Sequence, residues 1–275
     1  MSTAPIQVAP FLKWAGGKRR LLAQYQEYFP PQAAVRRYYE PFIGSAAVFF
    51  HLQYTLAYLS DRNERLIDVY RAVQQDVEGV IHALRIHRNE ADHYYAVRAQ
   101  DPAGLTQAER AARLIYLNKT CYNGLYRENS KGEFNVQFGR YRNPTICDEA
   151  RLRAAARALQ GVELRTTDFA GAVADAGAGD FVYFDPPYVP LSQTSNFTSY
   201  ERNVFGMEDH LRLAEVIAQL TGQGCNVMLS NSSAPLVRDL YHGRGYRLIP
   251  IQARRNINSK ADRRGPVPEL LILNY

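Results

Sequence analysis

Cysteine is scarce and poorly placed for a structural role. The 275-residue chain holds three, Cys121, Cys147 and Cys225, an odd and widely spaced set. That excludes a disulfide framework and paired zinc ligands, and it points to a reducing compartment. Six histidines are scattered and H-E-x-x-H is absent, so no catalytic metal is expected. No apolar run approaches the length of a membrane span. The opening Met1-Ser2-Thr3-Ala4-Pro5-Ile6-Gln7-Val8 has neither the basic nor the apolar stretch of a secretion signal. A cytoplasmic protein without membrane attachment is the expectation. Acids are fewer than bases, 27 against 33, for a net charge of +6. Hydrophobic residues at 46% and charged residues at 22% exclude a wholly disordered chain. The length suits one large domain, or a domain carrying one sizeable insertion.

The positive charge is concentrated. Between Leu105 and Cys147 there are seven bases (Arg110, Arg113, Lys119, Arg127, Lys131, Arg140, Arg142) against three acids. Between Ile251 and Gly265 there are five (Arg254, Arg255, Lys260, Arg263, Arg264) against Asp262. The rest of the chain is slightly acidic. Bases interleaved with Asn and Tyr suit an anionic polymer, although solvated loops also collect basic residues. The Arg254–Arg264 stretch reads as a basic loop before the last strand, either a clamp on that polymer or silent.

Short β-branched and aromatic runs recur at Arg37–Glu40, Leu56–Ser60, Glu163–Thr167, Phe181–Asp185, Asn226–Ser230, Arg247–Gln252 and Leu270–Leu273. Each predicts a buried strand. Helical patterns separate several of them. In Gly206–Thr221 the residues Leu211, Ala214, Ile217 and Ala218 share a predicted face. Alternation of this kind predicts a largely parallel α/β sheet, with ligands bound beyond the carboxyl ends of the strands. The stretch from about Leu66 to Leu159 breaks the rhythm. It is helical at first, rich in Gly, Asn and Arg from Asn118 to Asn143, where loops and a hairpin are predicted, and helical again at Arg151–Leu159. The division expected is 1–65 and 160–275 for one α/β domain, with 66–159 inserted.

The strongest motif is Asp180-Phe181-Val182-Tyr183-Phe184-Asp185-Pro186-Pro187-Tyr188. An apolar strand ends in a carboxylate, two prolines and an aromatic ring. The prolines stiffen the backbone and remove two N–H donors, leaving carbonyls that can face outward. Two acceptors beside a flat ring suit a planar –NH2 group. A strand closed by a Pro turn would account for Pro187 but not for this order. Near the start, Phe11-Leu12-Lys13-Trp14-Ala15-Gly16-Gly17-Lys18-Arg19 fails as a P-loop, because Leu12 replaces the first glycine and Arg19 the hydroxyl residue. What remains is a glycine turn with a Trp and a Lys on either side. Glu40-Pro41-Phe42-Ile43-Gly44-Ser45 reads as a strand, a turn and a helix start, which aims backbone N–H groups at a ligand. About twenty residues later, Ser60-Asp61-Arg62-Asn63 ends a second strand in an acid, the offset of a ribose-binding carboxylate. Spacing alone does not separate a nicotinamide dinucleotide from S-adenosylmethionine.

Taken in order, these segments resemble the Dam-type adenine-specific DNA methyltransferases, which act on the exocyclic amine. The resemblance runs over nearly the whole chain. Besides the motifs above it includes Asn118 to Arg127 (N-K-T-C-Y-N-G-L-Y-R), Phe134–Tyr141, Phe197-Thr198-Ser199-Tyr200, Leu229-Ser230-Asn231-Ser232 and the closing Glu269–Tyr275. It implies a Rossmann-like S-adenosylmethionine domain with a mostly helical target-recognition insertion. It carries cofactor contacts onto Trp14, Lys18, Asp61 and Asp185, with Phe42 and Gly44 on the methionine side and Asp168 and Phe169 near the cofactor adenine. The implied partner is double-stranded DNA, methylated at GATC. A monomer is expected, and a companion restriction nuclease is compatible with the resemblance. Relatives acting on cytosine, RNA or protein glutamine tend to carry Ser or Asn at the place of Asp185 and to lack N-G-L-x-R. A DNA-binding protein that had lost catalysis would leave Asp185–Tyr188 and Trp14–Lys18 free to drift.

Base flipping is required, because the amine lies paired inside the duplex. Tyr188 is then expected to stack on the adenine while Asp185 and the Pro186 carbonyl accept its amine hydrogens. Arg127 and Arg140 are the expected guanine readers, since arginine bonds guanine bidentately. Tyr122, Asn123 and Leu125 are loop residues expected to insert at the site or touch it. Lys119, Lys131 and Arg142 are expected to hold phosphates. The chain departs from the family at Ala46, where a second glycine is common, and at Gln137, where proline is common. Ala46 is expected to keep a negative φ.

Overall fold

The computed structural model describes residues 8–190, 205–254 and 266–275. The Phe197–Tyr200 motif and residues 255–264 of the basic loop lie outside them. All seven predicted runs are strands: β1 (Tyr38–Glu40), β2 (Ala57–Asp61), β3 (Glu163–Thr166), β4 (Phe181–Phe184), β5 (Asn226–Ser232), β6 (Arg247–Arg254) and β7 (Pro266–Leu273). They form one sheet in the order β3-β2-β1-β4-β5-β7-β6. β1 pairs in parallel with β2 and β4, and β4 with β5, whereas β7 runs antiparallel to both β5 and β6. Strands covered on both faces read as unbroken apolar runs, and β4 is buried at all four positions. The result is a Rossmann-like α/β sheet.

The chain divides into two compact units, the first Met1–Arg19, Ile43–Thr55 and Asn63–Thr166, the second Arg20–Phe42, Leu56–Arg62 and Thr167–Tyr275. The second carries β1, β2 and β4 to β7. Its core joins Tyr39, Val182, Phe184, Leu229 and Ile272 of the strands to Leu213, Ile217 and Leu220 of the helix Met207–Gly222. This corrects part of the predicted face of that helix, in which Ile217 is buried and Ala214 packs against the core as expected. Leu211 and Ala218 are exposed, and His210, Leu213, Ile217 and Leu220 face inward. Both stripes satisfy a 3.6-residue period. Burying Leu213 and Leu220 removes more apolar surface from water than burying Leu211 and Ala218 would.

The first unit is mostly helical, with Glu64–Gln75, Val77–Arg85, Ala91–Ala99, Gln107–Thr120 and Glu149–Ala158 as its long helices. Residues 66–159 fall within it. Side chains of Asn63, Asp76 and Asp148 cap three of these helices, and Thr106 with Glu109 forms a capping box on Gln107–Thr120. That helix is buried at nearly every position from Ala111 to Thr120. A hairpin follows. Glu128 bridges Phe134 antiparallel, Asn135 N–H bonds Arg127 O, and Gly132 N–H bonds Asn129 O in the turn. Among the described residues no helix is long and apolar enough to cross a membrane.

Candidate active site

In the second unit the strand order reverses between β1 and β4, with β2 beyond one and β5 beyond the other. Crevices at the carboxyl ends of such strands are where α/β sheets bind ligands. Asp61 ends β2, Phe42 lies just past β1, and Asp185 follows β4 directly. Asp185 is half-buried, Pro186 buried, Pro187 exposed and Tyr188 half-buried. Ser230 Oγ donates to Asp185 Oδ1 at 2.8 Å and is itself 2.9 Å from the Tyr183 hydroxyl. The Tyr188 hydroxyl donates to Glu269 Oε2 at 2.8 Å. Burial first, then the charge on Asp185, raises the Tyr183 and Tyr188 phenols well above their ordinary range, so both remain donors. Tyr25 is buried beside the same group, and burial, then Asp185 and Glu269, raises its phenol too.

The other residues of this unit expected at the cofactor also converge. Phe42 stacks on Phe169 at 5.8 Å and meets Phe184 and Phe205 edge-on. Thr167 N–H bonds Asp61 O, which sets the Asp168 turn against the end of β2. Asp168 caps the short helix after it through Gly171 N–H and pairs with Arg212, whose guanidinium lies over the Phe169 ring. Burial works to raise the Asp168 carboxyl, but the Gly171 and Arg212 bonds outweigh it and hold it low. The set fits an adenosine-bearing cation. It offers carboxylates for hydroxyl and ammonium groups and aromatic faces for a purine.

In the first unit the glycine turn closes through Gly17 N–H to Trp14 O, and Lys18, buried, donates to Gly16 O at 2.6 Å. Gly44 has φ +46°, and a Cβ there would stand 2.9 Å from Trp14 Cδ1, so only glycine lets the indole approach. Ala46 is a correction. Its φ is +54°, left-handed, as it closes the turn from Ile43 and enters the helix Ala47–Leu52. The turn dictates that conformation, at roughly 1–2 kcal/mol for a residue with a Cβ, and glycine would adopt it without strain.

Trp14 stacks on Tyr126 at 5.2 Å. Buried Asn118 accepts from Lys13 N–H and donates to the Lys13 and Gly124 carbonyls. The N-G-L-Y-R segment and the Lys13-Trp14 segment are therefore joined. Tyr122 and Leu125 are exposed despite their size, at 49% and 37%. Asn123 lies between them with φ +55°. Arg127 is exposed and donates to Asn135 Oδ1 across the hairpin. Arg140 is exposed with φ +53°. Arg113 is buried and bonds the Val97 and Arg98 carbonyls, so part of the basic stretch is structural. Sequence reading assigned no role to Tyr25, Tyr126, Tyr183, Ser230 or Glu269, although all but Tyr25 sit inside motifs it had singled out.

Comparisons with known proteins show the family. Residues 14–257 match the family described as D12 class N6 adenine-specific DNA methyltransferase. The chain is 41% identical to the type II methyltransferase M1.LlaDCHI of Lactococcus lactis subsp. cremoris, over 98% of this chain and 96% of that protein. It is equally identical to the type II methyltransferase M.MjaIII of Methanocaldococcus jannaschii, over 98% of this chain and all of the relative. It is 37% identical to the DNA adenine methylase of Escherichia coli strain K12, over 96% and 94%. A match spanning the first glycine turn, the Asp185–Tyr188 loop and the hairpin between them makes this chain a member of the D12 class of N6 adenine-specific DNA methyltransferases.

Proposed function

We propose that the protein methylates the exocyclic amine of adenine in duplex DNA, at GATC, after flipping the base out of the stack. The observation that carries this is the Asp185–Tyr188 loop at the carboxyl end of β4, braced by Ser230 and Glu269. S-adenosylmethionine, when bound, supplies a methyl group on a sulfonium and leaves as a neutral thioether. Asp185 and the Pro186 carbonyl accept the two amine hydrogens and aim the nitrogen lone pair, while Tyr188 offers its ring to the flipped base. Positioning is the main device. Asp185 also faces the positive charge the nitrogen carries until it sheds a proton.

Asp61, Phe42, Asp168 and Phe169 are assigned to the cofactor in the second unit. Trp14, Lys18 and Gly44 of the first keep the cofactor roles that the family resemblance gives them. Residues 66–159 are assigned to target recognition, with Arg127 and Arg140 reading guanine and with Tyr122, Asn123 and Leu125 at the flipping site. The protein works as a cytoplasmic monomer. The relatives named type II methyltransferases favour a companion restriction nuclease. Asp185→Ala is expected to lower methyl transfer about a hundredfold or more, while calorimetry still records S-adenosylmethionine binding. Near-normal turnover of that variant contradicts the assignment.

A further inference from the structure

Three consecutive polar residues end β5, and all are buried: Ser230, Asn231 and Ser232. A strand interior gains nothing from such groups unless each is paired, because every unpaired one carries a desolvation penalty. Each is paired, and each bonds the same short loop. Ser230 donates to Asp185 Oδ1. Asn231 Oδ1 accepts from Val189 N–H at 3.2 Å. Ser232 Oγ donates to Val189 O at 2.6 Å. The next strand adds a fourth bond. Glu269, directly opposite Ser232 in the β5–β7 register, takes the Tyr188 hydroxyl.

We infer that Ser230–Ser232 of β5 and Glu269 of β7 form a clamp that fixes the Asp185–Val189 loop, with Ser230 and Glu269 as positioning residues for the carboxylate and the ring. The inference rests on the function proposed above and goes beyond it by giving these braces a specific effect on turnover. The donor order at Asp185 follows from proton counting. Ser230 has one hydroxyl hydrogen, and the charged oxygen at 2.8 Å takes it in preference to Phe184 O at 3.4 Å. Tyr183 then donates to Ser230 Oγ, giving a relay from Tyr183 through Ser230 to Asp185. On the other side, the ring of Tyr188 is anchored at its hydroxyl by Glu269 and at its chain end by the Val189 bonds. A displacement of about 1 Å at a reacting group costs on the order of a hundredfold in rate, so a clamp of this kind acts on turnover rather than on affinity.

The test compares Ser230→Ala, Ser230→Thr, Glu269→Ala and Glu269→Gln with the wild-type chain and Asp185→Ala. Single-turnover methyl transfer to duplex DNA, KM for that DNA, cofactor affinity by calorimetry and Tm are measured for each. The two alanine variants are expected to lose about tenfold or more in rate with cofactor affinity unchanged. Threonine keeps the hydroxyl donor and glutamine keeps an acceptor oxygen, so each is expected to restore most of the loss. Wild-type rates in both alanine variants overturn the clamp, as does a loss that tracks Tm and that neither conservative variant repairs. If the wild-type chain transfers no methyl to DNA adenine, the function itself falls. If it does and Asp185→Ala does not, a failure at Ser230 and Glu269 removes the clamp alone.

Discussion

The Asp185–Val189 loop and the Cys121–Arg142 segment both lie outside the long helices and the sheet, yet they are held in opposite ways. The first is braced by side chains from two strands, and its partners Ser230, Asn231 and Ser232 are buried. The second is anchored at its base, by buried Asn118 and by Cys121, whose residue bridges Phe138. Its outer side chains Tyr122, Leu125, Arg127 and Arg140 are left in solvent. Chemistry on one amine needs fixed geometry, whereas reading a duplex needs side chains that can reach into a groove. The bases of the first unit divide again, between Arg113, buried on the Val97 and Arg98 carbonyls, and Arg127, which stays exposed while it bonds Asn135 across the hairpin.

Substitutions in the exposed segment sharpen this contrast. The largest effect is expected at Arg127→Ala, which should cost about 1–3 kcal/mol of discrimination between target and altered duplexes while leaving turnover on the best substrate less affected. Lys131→Ala is the control and should weaken binding to every duplex alike. Equal losses on cognate and scrambled DNA for both variants would erase the distinction. Gly44→Ala probes the other anchor of the first unit. A Cβ at φ +46° meets Trp14, so about 1–2 kcal/mol of stability should be lost, with a change in emission from Trp14, the sole tryptophan. An unchanged Tm and spectrum would show that the indole does not rest there.

The smallest expected effect is one of pH. Burial, then Arg151 and Lys13 nearby, lowers Lys119 to about 8. A phosphate beside it would favour the charged form. The bound complex then holds a proton that the free protein releases above pH 8, so affinity should fall as pH rises through that value and stay level below it. Lys119→Met should flatten the decline in a salt-matched titration. A variant with the same pH profile as wild type would place the phosphate elsewhere.

The strands were legible where a short apolar or aromatic run stops at a breaker, as β4 does at Asp185-Pro186 and β1 at Pro41. The helix Met207–Gly222 was legible as a helix but not in its orientation, since two stripes met the same period and only packing chose Leu213 and Leu220. Ala46 misled because side-chain identity argues for a negative φ while the turn from Ile43 imposes a positive one. Asp185, Pro186 and Tyr188 could be singled out because three unusual residues stand side by side. Ser230 and Glu269 stand within matched segments, but their bonds to this loop could not be read from the sequence. Ser230 lies 45 residues from Asp185 and Glu269 lies 81 from Tyr188, and hydrogen bonds at such separations leave no local pattern.

The most direct measurement is to modify random-sequence duplex DNA with labelled S-adenosylmethionine and locate the methyl groups base by base. The account predicts methyl on the exocyclic amine of adenine within a single motif, GATC. Methyl on cytosine, or none on DNA at all, would contradict it.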